Sequence, residues 1–123
     1  MGLCWWNGPM QIPTAEVGGV PDPLPEGLLV LDVREDDEWR AGHVEGSVHV
    51  PLMELGERYA DLPELSSAGQ TLVVCRSGNR SAYAAGFLIQ QGLDAVNLAG
   101  GLLSWHAAGR ALVADGDDDP VVI

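Results

Sequence analysis

The chain has 123 residues, 46% hydrophobic and 20% charged, which fits one globular domain with a single core. Its formal net charge is −12 and all six basic residues are arginines, so nucleic acid and anionic membranes are poor partners. No apolar run is long enough to span a bilayer, no signal-peptide pattern is present, and two cysteines, Cys4 and Cys75, are too few for a disulfide framework.

Residues 1–9 read as a lead-in, without helical or strand periodicity. Residues 18–27, GGVPDPLPEG, are a loop by their glycines and prolines. LLVLDV, 28–33, is an apolar run that ends in a charge, as expected of a strand covered on both faces. EDDEWRAG follows, with acidic residues Glu35 to Glu38 at the positive end of a short helix and Gly42 closing it. SVHVPL, 47–52, predicts a second short strand, and MELGERYADLPEL, 53–65, a helix interrupted at Pro63. TLVVC, 71–75, is another buried strand. A helix is expected from Arg80 to Gln91, with Ala82, Ala85, Gly86 and Ile89 on the face toward a sheet. AVNL, 95–98, is a last strand, and GGLLSWHAAG, 100–109, a short helix bounded by glycines. Residues 113–123 form an acidic tail, expected to be mobile. Strands alternating with helices at this spacing mean an α/β domain with a mostly parallel sheet, whose sites lie at the carboxyl ends of the strands.

Cys75 is the last residue of a predicted strand, and a polar, cationic turn follows it: Arg76, Ser77, Gly78, Asn79, Arg80 and Ser81. Free thiols are mostly protonated at neutral pH, and the thiolate is the reactive form. A strand-to-helix turn supplies inward N–H groups and the positive end of a helix dipole. Gly78 frees the backbone, the serines offer hydroxyls, and the arginines offer fixed charge. These features favour an anion, whether the Cys75 thiolate or a substrate. An inert buried cysteine is the plain alternative, but an apolar pocket would not be lined in this way.

CRSGNRS, residues 75–81, resembles the active-site loop of the rhodanese family of sulfurtransferases. LDVREDDEWRAGHVEGSVHVPL, 31–52, resembles the family's DVRE…GHIPGAINIPL segment, and GGLLSW, 100–105, its GG…W segment. The motifs stand in the family's order, and the likeness covers residues 10–112. Glu45, Ser47 and His49 depart from the usual Pro, Ala and Asn, away from the nucleophile loop. The resemblance implies a rhodanese-like α/β fold with about five strands flanked by helices. It also implies transfer of a sulfane sulfur from thiosulfate, a polysulfide or a persulfide to a thiol or cyanide, through a persulfide on Cys75. Arg76 to Ser81 would bind the donor, small or protein-borne, and neither cofactor nor metal is needed.

Cysteine-dependent phosphatases carry Cys-x5-Arg, whereas here four residues separate Cys75 from Arg80, and Ser81 stands where that loop needs arginine. Asp32 and Arg34, at the end of a neighbouring strand, either support the loop or form a buried pair with the turn at 43–46. His43, His49 and His106 lack metal-ligand spacing, and Trp39 and Trp105 read as core. Cys4 is a candidate resolving thiol. The rival readings are a rhodanese-like module that only binds a partner and a persulfide sensor without turnover. With no export signal recognised, the cytoplasm, where thiols stay reduced, is the expected location.

Overall fold

The computed structural model describes residues 12–123. Its centre is a five-stranded parallel sheet in the order β1-β5-β4-β2-β3. The strands are β1 (Thr14–Ala15), β2 (Leu28–Asp32), β3 (Val48–His49), β4 (Gln70–Val74) and β5 (Ala95–Leu98). The helices are α1 (Asp36–Ala41), α2 (Leu52–Arg58), α3 (Pro63–Ser67), α4 (Asn79–Gln90) and α5 (Gly101–Ala107). Short 3-10 turns lie at Val17–Gly19 and Tyr59–Asp61.

Side chains alternate across a strand, so a strand buried on both faces feeds two cores. Along β4 and the residue after it, Val73 and Cys75 face a cluster with Leu31, Val33, Ala84, Ala85 and Leu88. Leu72 and Val74 face the opposite cluster with Val30, Val44, Leu98, Leu102 and Trp105. This double coverage explains the apolar runs Leu28–Leu31 of β2 and Leu72–Val74 of β4.

Several expectations change in detail. The helix expected over 53–65 is α2, a 3-10 turn and α3, because Pro63 lacks an N–H and starts a new helix instead of continuing the old one. The strand expected over 47–52 pairs only at Val48–His49. Strand β1 was not anticipated, since two residues show no periodicity. The buried face of α4 is Ser81, Ala84, Ala85 and Leu88, one residue away from the stripe 82, 85, 86 and 89. Counting only apolar residues hides that Ser81 faces inward. Trp105 is buried, but Trp39 is half-buried and stacks with the rings of His43 and His49, at centroid distances of 3.6 and 4.8 Å. The acidic tail, expected to be mobile, is tied to the domain. His43 and Val113 exchange two backbone hydrogen bonds, Asp115 N–H donates to the Arg40 carbonyl, and Val121 N–H donates to that of Ala41.

The chain leaves β4 toward β5 and leaves β2 toward β3, in opposite directions, so the topological switch point lies between the carboxyl ends of β2 and β4. The start of α5 closes against this end of the sheet. Leu102 N–H donates to the Cys75 carbonyl at 2.8 Å, and Leu103 N–H to that of Arg76 at 3.0 Å. This approach needs Gly101, whose φ is +60°; a Cβ there would lie 2.5 Å from both carbonyl oxygens. Gly101→Ala is therefore expected to cost about 2 kcal/mol or more, read as a lower urea midpoint with an unchanged slope.

Candidate active site

The loop from Cys75 to Gly78 wraps around its own first side chain. Gly78 N–H donates to Cys75 Sγ at 3.0 Å, and Ser81 Oγ lies 3.2 Å from the same sulfur. Gly78 has φ +108°, a conformation that turns its N–H inward and that other residues rarely adopt. Burial pushes the Cys75 thiol up, but the Ser81 hydroxyl and the backbone N–H groups of Ser81, Gly78 and Ser77 outweigh it and hold the thiol below its ordinary value. Cys75 is only 1% exposed, so its sulfur sits at the floor of the loop.

The predicted site residues occupy distinct positions. Ser77 and Asn79 are on the exposed rim, whereas Gly78 and Ser81 are buried beside the sulfur. Arg76 is exposed, and its Nε donates to the Ile123 carbonyl at 3.1 Å. Arg80 is partly buried and is gripped by Glu38 of α1 through Nη1–Oε1 and Nη2–Oε2 contacts of 2.7 and 2.9 Å. The Arg80 guanidinium holds the Glu38 carboxyl below the usual range against the opposing effect of burial, and Glu38 in turn raises Arg80. Glu38 also accepts the Glu35 N–H, so one carboxylate caps α1 and steadies the loop arginine.

Asp32 and Arg34 engage each other. Both are fully buried, and Arg34 Nε and Nη2 reach the Asp32 carboxylate at 2.8–3.1 Å. Arg34 Nη2 also donates to the Gly42 carbonyl at 2.6 Å, which ties the end of β2 to the end of α1. His43 Nδ1 lies 2.7 Å from the Trp39 carbonyl, and His49 Nε2 2.7 Å from that of Arg34. The candidate resolving thiol, Cys4, lies outside the described residues.

Two members of the site escaped the sequence reading. Glu38 looked like a helix-start acid only. Asn97, a polar residue in the apolar strand β5, accepts the Ser81 hydroxyl at Oδ1 at 2.5 Å and donates from Nδ2 to the Gly78 carbonyl at 3.2 Å. Its signal was the break that it makes in the run Ala95–Leu98.

A loop of inward N–H groups around a cysteine, on this parallel sheet, defines the class: residues 20–108 match the rhodanese-like domain, and the chain belongs to that family. Among its relatives, the thiosulfate sulfurtransferase GlpE of Pseudomonas putida is 37% identical over 95 residues, 75% of this chain and 82% of that one. The Bacillus subtilis protein YrkF is 38% identical over 81 residues, 65% of this chain, and the matched part spans only 42% of that longer protein. The crystal structure of a rhodanese-related protein from Thermoplasma volcanium is similar with a TM-score of 0.74 at 35% identity, covering 82% of this chain and 97% of that one. Among the described residues, no helix is long and apolar enough to cross a membrane.

Proposed function

We propose that the chain is a sulfurtransferase that carries a sulfane sulfur on Cys75. The observation that carries this reading is the thiol held below its ordinary value at the floor of a loop of hydrogen-bond donors. The likeness to a thiosulfate sulfurtransferase at 37% identity supports it. In the first half-reaction the thiolate attacks the outer sulfur of the donor. The donor's S–S bond breaks, its leaving group departs with the electron pair (sulfite from thiosulfate, a thiolate from a persulfide), and a new S–S bond joins Cys75 to the transferred atom. In the second, a thiolate or cyanide attacks that outer sulfur, and Cys75 leaves as thiolate with the electron pair. The charge of the persulfide rests on its outer sulfur, where the loop N–H groups stabilise it as an oxyanion hole stabilises oxygen.

The 1% exposure of Cys75 suits a donor that offers a terminal sulfur atom, small or protein-borne, and keeps its bulk on the rim. There Arg76 and Arg80 meet the sulfonate or carrier end, with the donor competing against Glu38 for Arg80. In a chain of net charge −12, these two arginines supply the local positive field that an anionic donor requires. A reducing compartment, the cytoplasm, suits a site that works as a thiolate.

Initial rates measured with thiosulfate and cyanide test the reading. A covalent carrier gives parallel double-reciprocal lines, the pattern of a double displacement. Intersecting lines, or no thiocyanate from any sulfane donor, would overturn it.

The lowered thiol also sets a pH dependence. Alkylation of Cys75 by iodoacetamide should titrate with a midpoint below that of the urea-unfolded chain, and Ser81→Ala should move the midpoint up. Because the folded value is depressed, the thiolate's contribution to stability is fully present above the unfolded value and is lost as pH falls through the folded one. Urea midpoints across that window, with Cys75→Ser as reference, check the sign.

A further inference from the structure

Ser81 has one hydroxyl proton and two neighbours that can take it. Cys75 Sγ lies 3.2 Å from Ser81 Oγ, and Asn97 Oδ1 lies 2.5 Å from it on the other side. The orientation of the Asn97 amide is fixed independently, because Nδ2 donates to the Gly78 carbonyl at 3.2 Å, which leaves Oδ1 toward the serine. Ser81 is fully buried and Asn97 is 7% exposed, so water is a poor substitute for a lost partner.

When Cys75 is a thiol, all three groups are satisfied: S–H donates to Ser81 Oγ, and Ser81 O–H donates to Asn97 Oδ1. When Cys75 is a thiolate, Sγ can only accept. The Ser81 proton then turns to the sulfur, and Asn97 Oδ1 is left without its donor. Ionisation of the nucleophile and satisfaction of Asn97 therefore compete for one proton.

We propose that Asn97 is a positioning residue that holds the Ser81 hydroxyl proton whenever Cys75 Sγ is uncharged and yields it when Sγ carries the negative charge. The proposal rests on the reading of Cys75 as a sulfur carrier and adds a switch to it. During the attack on the donor, the Ser81 proton faces the thiolate. In the persulfide, Sγ is a neutral divalent sulfur with the charge on the outer atom, and the proton returns to Asn97. As the acceptor removes the outer sulfur, the proton turns back to the departing thiolate. No bond to hydrogen breaks. Asn97 thus keeps the serine from stabilising the thiolate fully, leaving a thiolate that is less stabilised and more nucleophilic.

The charged groups around Cys75 are Arg76 in the loop, Arg80 on α4 with its partner Glu38 on α1, and Asp32, the last residue of β2, paired with Arg34; Glu35, Asp36, Asp37 and Arg40 at and on α1 are exposed. Strand β5 carries no charged side chain, and His106 on α5 is exposed. Replacing Asn97 with a neutral residue leaves these charges in place.

The test is the pH dependence of Cys75 alkylation in Asn97→Ala and in the similarly sized Asn97→Leu, each made with Ser81 and with Ser81→Ala, in protein shown by near-ultraviolet circular dichroism to be folded. Both variants also remove the Nδ2 bond to the Gly78 carbonyl in either background, so loss of the competing acceptor is read as the difference: the thiol midpoint should fall by about one unit more where Ser81 is present than where Ser81 is alanine. If Asn97 only anchors the Gly78 carbonyl, its loss slackens the loop and weakens the Gly78 N–H contact, so the midpoint rises in both backgrounds. An equal shift in both backgrounds, a larger rise where Ser81 is present, or no shift in either overturns the proposal. The readout needs no sulfur donor, so failure of the switch and failure of the sulfur-transfer reading are separately visible.

Discussion

Cys75→Ser is expected to lower sulfur transfer by at least about a thousandfold, because it removes the atom that bonds to the travelling sulfur. The substitution changes one buried atom for a smaller one of similar shape, and the hydroxyl can still accept from Gly78 N–H. The fold and the rim should therefore be preserved, with stability within about 1 kcal/mol of the parent by urea unfolding. A serine hydroxyl in this loop stays protonated at neutral pH and is a far weaker nucleophile toward sulfur than a thiolate. Thiocyanate formation from thiosulfate and cyanide, measured at equal concentrations of both proteins, reads the loss. A variant that retained a tenth of the parental rate would place the chemistry elsewhere.

The largest effect on stability is expected at Arg34. Its guanidinium and the Asp32 carboxylate are both fully buried, and Arg34 is the partner that neutralises that carboxylate. Arg34→Met keeps much of the side-chain volume but leaves Asp32 in the interior with one backbone donor, Arg34 N–H, at 3.0 Å. Stranding a buried charge in this way costs about 3 to 5 kcal/mol, a large share of a small domain's stability. It also releases the Gly42 carbonyl and the register between β2 and α1. The double variant Asp32→Leu with Arg34→Met removes both charges and should recover part of the loss. Urea unfolding of the single and double variants distinguishes this from simple loss of packing, in which the double variant would be no better than the single one.

The elements that position the site were legible because their residues obey one rule at a time. Strand β2 and the second half of β4 are apolar runs that end at charged or polar residues, so Cys75 could be placed at a carboxyl end from the sequence. The turn from Arg76 to Ser81 announced itself through composition. Other features were hidden for specific reasons. Ser81 is polar yet fully buried, so apolar counting rotated α4 by one residue. Glu38 serves both a helix start and an arginine forty-two positions away, and only the first role has a local signature. Asn97 gains its purpose from Ser81 and Gly78, which no periodicity links to it. The acidic tail shows no pattern of its own, and its backbone hydrogen bonds to Arg40, Ala41 and His43 are invisible in side-chain chemistry.

The most direct measurement is the intact mass of the protein after exposure to thiosulfate, and separately to a polysulfide, beside Cys75→Ser. Sulfur transfer through Cys75 predicts a gain of one sulfur atom that is absent in the variant and lost again on addition of cyanide or a thiol. No gain from either donor, or a gain that Cys75→Ser shares, would contradict it and leave a rhodanese-like module that binds a partner without passing sulfur on.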